Sequence, residues 1–109
     1  MFIRKKVERF EIILPFYYND SSPVEQYKID ETLEELGNLF VGYTSDSVKV
    51  SGFWIDKEGN YYHDESMRVR IDTPYLKENQ SLFRFYKKIL MLRFRQKDIW
   101  ITVHEIKVL

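Results

Sequence analysis

From Val48 to Ile71 the chain reads VKVSGFWIDKEGNYYHDESMRVRI, two alternating runs on either side of Asp56-Lys57-Glu58-Gly59-Asn60. Alternation with a period of two, interrupted by a Gly/Asn turn, predicts a β-hairpin. Its strands should cover about 47–55 and 61–72. In the second, Met67, Val69 and Ile71 alternate with Arg68, Arg70 and Asp72.

A helical pattern flanks the hairpin on each side. Ile29, Leu33, Leu36 and Phe40 recur at i, i+4, i+7 and i+11, an apolar stripe that predicts a helix ending near Phe40, with Gly42 as its terminator. Asp30, Glu31, Glu34 and Glu35 sit in its early turns, where negative charge suits the helix dipole. The second helix is expected to open at Thr73-Pro74-Tyr75 and to run to about Arg95, with Leu82, Phe85, Tyr86 and Ile89 on its stripe. Before the first helix, Phe10, Ile12 and Leu14 alternate with Glu11 and Ile13 in a strand over about 8–18 that fades at Pro15. A last strand, rich in β-branched residues, is expected over 99–106.

The order is β-α-β-β-α-β. It predicts an α+β fold of the ferredoxin-like type, a four-stranded antiparallel sheet with both helices on one face. One domain over 1–109 suits the length, with 1–7 as a loose N-terminal extension. The helices should run antiparallel. The acidic start of the first then meets the end of the second, where Arg84, Lys87, Lys88, Arg93, Arg95 and Lys97 collect.

Composition narrows the chemistry. Seventeen basic residues balance seventeen acidic ones, so nothing pulls the whole molecule toward nucleic acid or an anionic membrane. There is no cysteine, which excludes disulfides, thiolate catalysis and Cys-ligated metals. No apolar run is long enough to cross a bilayer and the N-terminus lacks a secretory pattern, so a cytoplasmic location is expected.

Several residues together resemble a known group. Phe40-x-Gly42, Gly52-x-Trp54-x-Asp56-x-x-Gly59, Glu65-Ser66 and Phe94-x-Gln96 are similar to motifs of a family of small, uncharacterised prokaryotic proteins, a domain of unknown function. The resemblance covers roughly Ile12 to Ile106. It implies the same fold and no particular activity.

Trp54, Tyr61, His63, Arg68 and Arg70 are the candidate ligand-binding residues: a stacking wall, a titratable ring and two guanidiniums able to grip phosphate or carboxylate. Turn and core roles account for most of them equally well. His63 and His104 lack ligand spacing, so no metal or cofactor is expected. No catalytic set emerges. Asp20 echoes the aspartate that CRISPR-associated nuclease subunits of this fold carry after their first strand, without a second motif to support it. Ser66–Ile71 lacks the Gly and aromatics of an RNA-recognition strand.

The open sheet face carries the leading expectation. With Met67, Val69 and Ile71 inward beside Val48, Val50 and Trp54, the outward set includes Ile13, Tyr17, Lys49, Phe53, Ile55, Arg68 and Arg70. Such a face is too apolar to stay wet, and exposed apolar area of that size marks an interface. A non-catalytic association module dimerising face to face, with Ile13, Tyr17, Phe53 and Ile55 in the contact, is the first reading. A small-molecule site at that face is the second, and nucleic-acid binding by the basic second helix is the third.

Overall fold

The computed structural model describes residues 6–40, 44–45 and 49–109. Residues 1–5 of the expected N-terminal extension, the expected terminator Gly42 and the expected strand start at Ser47-Val48 lie outside the described residues, as does the side chain of Trp54. The elements are β1 (Lys6–Pro15), α1 (Gln26–Leu39), β2 (Thr44–Ser45), β3 (Val50–Ile55), β4 (Tyr61–Pro74), α2 (Asn79–Arg93) and β5 (Ile101–Lys107).

β1 is central, antiparallel to β4 on one side and to β5 on the other. β3 and β2 lie one after the other along the outer edge of β4, opposite 61–66 and 69–70. Four strand positions result, in the order β5, β1, β4 and then β3 with β2, all antiparallel. The ferredoxin-like expectation holds, with the second strand split in two.

Glu8, Phe10, Ile12 and Leu14 are buried on one side of β1, opposite Thr73, Ile71, Val69 and Met67 of β4. Ile29 and Leu36 of α1, and Phe83, Tyr86 and Leu90 of α2, close the same core. Phe83 stacks on Phe10 at 3.8 Å and on Phe40 at 5.1 Å between ring centres. Offset aromatic stacking at these distances adds to simple area burial.

Arg93 ties the two helices together. Arg93 donates to both carboxylate oxygens of Glu35, at 2.7 and 3.0 Å, and to Thr32 Oγ1 at 2.9 Å. Tyr86 OH donates to the same carboxylate at 2.6 Å. The Arg93 bonds hold the Glu35 carboxyl below the usual carboxylate range, and burial pushes the Tyr86 phenol up. The expected apposition of acidic α1 and basic α2 is therefore present at Arg93.

Three boundaries differ from expectation. β1 begins at Lys6, so residues 6 and 7 of the expected loose extension are part of the sheet. α2 starts at Asn79 because Pro74 is still in the sheet: it sits opposite Val7, and Tyr75 N donates to Lys6 O at 3.2 Å. Proline can end a strand, since the ladder loses only its N–H. β1 closes at Pro15, and the backbone beyond it returns through an isolated Tyr17–Pro23 bridge.

Candidate interaction surface

β1 ends opposite Ser66. The part of the β3–β4 hairpin before Ser66 therefore leaves the sheet as a two-stranded arm, and the molecule measures 56 × 30 × 26 Å along its principal axes. Register pairs Ile55 with Tyr61, Phe53 with His63 and Ser51 with Glu65. These side chains share one face of the arm. The Phe53 and His63 rings stack across the strands at 4.7 Å. Phe53 is 77 % exposed, Ile55 56 % and Tyr61 79 %.

The tip is held in one shape. The Asp56 carboxylate accepts from Glu58 N and Asn60 N, each at 2.9 Å, and from Asn60 Nδ2 and Tyr62 OH, each at 3.0 Å. The Asn60 bonds, foremost, keep the Asp56 carboxyl below its ordinary range. Gly59 has φ of +84°, a region that side-chain-bearing residues avoid. The other glycine of the arm, Gly52, pairs regularly with Asp64, and a Cβ there would meet nothing within 4 Å. Neither a bulge nor a close approach accounts for it.

The open face of the main sheet differs from expectation. β1 contributes Val7, Arg9, Glu11 and Ile13. Opposite them lie Pro74, Asp72, Arg70 and Arg68 of β4, and Ile106, His104 and Thr102 of β5. Arg9 and Asp72 form a two-pronged pair at 2.8 and 3.0 Å, which holds the Asp72 carboxyl low. Charged and polar groups alternate here, Val7, Ile13 and Ile106 are half-buried, and Trp100, level with Ile13 and 67 % exposed, stands at the β5 edge of this face. Other large exposed apolar groups lie on the arm and on the outer side of α2.

This divides the sequence-derived sets. Tyr61 and His63 are on the arm's aromatic face, whereas Arg68 and Arg70 project from the opposite side of β4. The five candidate ligand residues are not brought to one site. Of the interface set, Ile13 is on the open face beside Arg68, and Tyr17 lies past the end of β1. Phe53 and Ile55 are on the other side, because the turn sets an odd-to-odd register across the hairpin. A one-residue difference in register moves every side chain to the opposite face.

Three further clusters could carry chemistry. Lys28 donates to Tyr18 OH at 2.6 Å and to the Arg93 carbonyl at 2.9 Å, while Tyr18 OH donates to Glu25. An ammonium at the last carbonyls of α2 is a helix cap, and this cluster anchors the β1–α1 loop to that helix end. Asp20 accepts from Ser22 N at 2.9 Å and from its hydroxyl, which makes it a turn residue. Glu8, buried in the core, accepts from Gln80 Nε2 at 3.1 Å through one oxygen, and its Oε1 has no partner among the described residues. Position 8 falls in line with 10, 12 and 14 on the inward side of β1.

A cleft of about 260 Å³ lies between α2 and β5, on the helix side of the sheet. Phe10, Phe83, Ile101 and Val103 line it, with Gln80, Arg84, Lys87 and Thr102 at its polar margin. The expected place for a small-molecule site was the open face. This cleft lies on the other side of the sheet, where α2 leaves β5 partly uncovered.

No family model and no curated protein matches the chain. Solved structures do. A phage SAM lyase in complex with S-methyl-5'-thioadenosine has a TM-score of 0.65 at 14% identity, covering 99% of this chain and 95% of that one. The phage SAM lyase in its apo state has a TM-score of 0.60 at 14% identity, over 96% and 85%. A GlnK–ATP complex from B. subtilis has a TM-score of 0.54 at 15% identity, over 96% and 85%. At such identities the likeness is one of fold.

Proposed function

We propose that this protein is a non-catalytic association module that binds a second copy of itself through the β3–β4 arm. The observation that carries this is the placement of Phe53, Ile55 and Tyr61 together on one face of a ribbon that, among the described residues, has no third strand beside 61–64. An isolated two-stranded ribbon is marginal in water. Burying its apolar face supplies the missing layer, and aromatic anchors on a shaped, pinned tip are what binding hot spots are made of.

Charge favours a like partner. Residues 49–66 carry four acids (Asp56, Glu58, Asp64, Glu65) against two lysines, a net of −2. α2 carries four cations (Arg84, Lys87, Lys88, Arg93) and no acid. A chain with zero formal net charge thus holds both halves of an attractive pair.

Light scattering at micromolar concentration tests the reading. The wild type is expected to exceed the monomer mass, and Phe53→Ser/Tyr61→Ser to return to it. A monomeric wild type overturns self-association, whether or not the arm binds a different protein.

The α2–β5 cleft favours a second reading, a small-molecule-binding protein. Two proteins of similar fold hold S-methyl-5'-thioadenosine and ATP, and an apolar wall with Arg84 and Lys87 at its edge suits an aromatic ring joined to an anionic or polar tail. Calorimetric titration with S-methyl-5'-thioadenosine and with ATP tests it, and absence of heat with both removes it.

A further inference from the structure

The arm needs a surface to meet. The strand order places it on the β4 edge, whereas α2 covers β1 and β5 through Phe10, Phe83 and Ile101. An arm that leaves the sheet at Ser66 on one edge does not fold back onto the helix over the other. Resting on the self-association reading, we infer that the arm of one copy docks on the outer face of α2 of the next, so that association is head-to-tail and not face-to-face.

α2 turns an unusual face to solvent. Ser81, Phe85, Lys88 and Leu92 fall at i, i+4, i+7 and i+11, one exposed line along the helix. The Arg93–Glu35 clamp and the buried Phe83, Tyr86 and Leu90 fix its rotation, so this line cannot turn inward. Phe85 is 63 % exposed and Leu92 82 %. Arg84 flanks Phe85 and is exposed with Lys88.

The two surfaces match in kind. Each offers large apolar side chains, with Glu58 at the tip of the arm and Glu65 on its aromatic face, and with Arg84 and Lys88 beside the exposed line of α2. With aromatics contributing about 150–250 Å² each on burial, the five anchors supply on the order of 700 Å² to one contact. A standard specific interface buries about 1,600 Å² in total, and polar rim residues make up the remainder. Because the two surfaces are different, each copy gives one contact and receives another, the defining property of a heterologous interface.

Mixing separates this from every symmetric arrangement. One variant loses the arm (Phe53→Ser/Tyr61→Ser) and the other loses the acceptor (Phe85→Ser/Leu92→Ser). All four side chains are exposed in the monomer, so the core is untouched. Each variant alone is expected to be monomeric by native mass spectrometry. An equimolar mixture retains one intact arm and one intact acceptor, and is expected to give a 1:1 heterodimer and nothing larger. Misfolded chains would not recover partner binding on mixing, so the mixture is its own control for folding. If the Phe85/Leu92 variant keeps the wild-type mass, α2 is not the acceptor and the arm reading stands. A mixture that stays monomeric overturns the head-to-tail contact. If the Phe53/Tyr61 variant keeps the wild-type mass, the arm reading itself fails.

Discussion

Replacing Arg93 with Met tests what holds α2 in its orientation. The guanidinium makes two bonds to Glu35 and one to Thr32, and its side chain is only 13% exposed. Glu35 is more open, at 34%, so neither limiting case applies. Exposed ion pairs are worth about 0.2–1 kcal/mol, and breaking a buried one costs about 3–5 kcal/mol. Between these limits the expected loss is about 2 kcal/mol, which for a domain near this size lowers Tm by roughly 10 °C. A double-mutant cycle of Arg93→Met and Glu35→Gln, read by urea denaturation, isolates the pair. The sign with pH follows from the depressed Glu35 carboxyl. Its contribution is present above the ordinary glutamate pKa of about 4.3 and is lost as pH falls through the lower folded value. The gap between wild type and Arg93→Met should therefore narrow toward about pH 3, where the unfolded-state carboxyl is already protonated. A coupling below about 0.5 kcal/mol at neutral pH, or a gap that widens on acidification, refutes the reasoning.

Other outcomes follow from single sites. Glu8→Met removes a buried oxygen that lacks a partner, and a gain of about 1–2 kcal/mol in urea unfolding is expected; a loss would show that Glu8 Oε1 is satisfied. Gly59→Ala is expected to cost about 1 kcal/mol through backbone strain alone, because a Cβ at that position meets nothing within 4 Å. Asp56→Ala removes four hydrogen bonds from the tip, so amide exchange over 56–62 should speed up about tenfold while the core stays protected. Lys28→Met uncaps α2 at Arg93 and should lower Tm by a few degrees with the fold retained.

Element order was legible because each element has a clear period: two for the strands, 3.6 for α1 and α2. What sequence reading missed depends on partners distant in the chain. The strand reaches Pro74 because β1 extends to Lys6 opposite it, and nothing local to Pro74 conveys that. The face of Phe53 was misplaced for a similar reason. In the run Asp56–Asn60 the sequence marks a turn without fixing its length, and pairing Ile55 with Tyr61 sends Phe53 to the side of Met67 and not of Arg68. Treating Val50 and Trp54 as companions of Met67 amounted to a one-residue slip, which inverts the faces of the whole strand. Arg68 and Arg70 were correctly placed on the open face. Their expected apolar companions are what moved.

That inversion changes the physical argument for association without removing it. An open sheet face lined with an Arg9–Asp72 pair and alternating charge is compatible with water. The large apolar groups left exposed include two separate projections, Phe53, Ile55 and Tyr61 on the arm and Phe85 and Leu92 on α2, besides Trp100 at the edge of the sheet. A single greasy face would favour a two-fold dimer, since like meets like. Two dissimilar patches, one on a segment with a net charge of −2 and one beside Arg84 and Lys88, favour contact between unlike surfaces over contact between identical ones. The same polarity that leaves the chain with no formal net charge therefore selects the pairing of unlike ends.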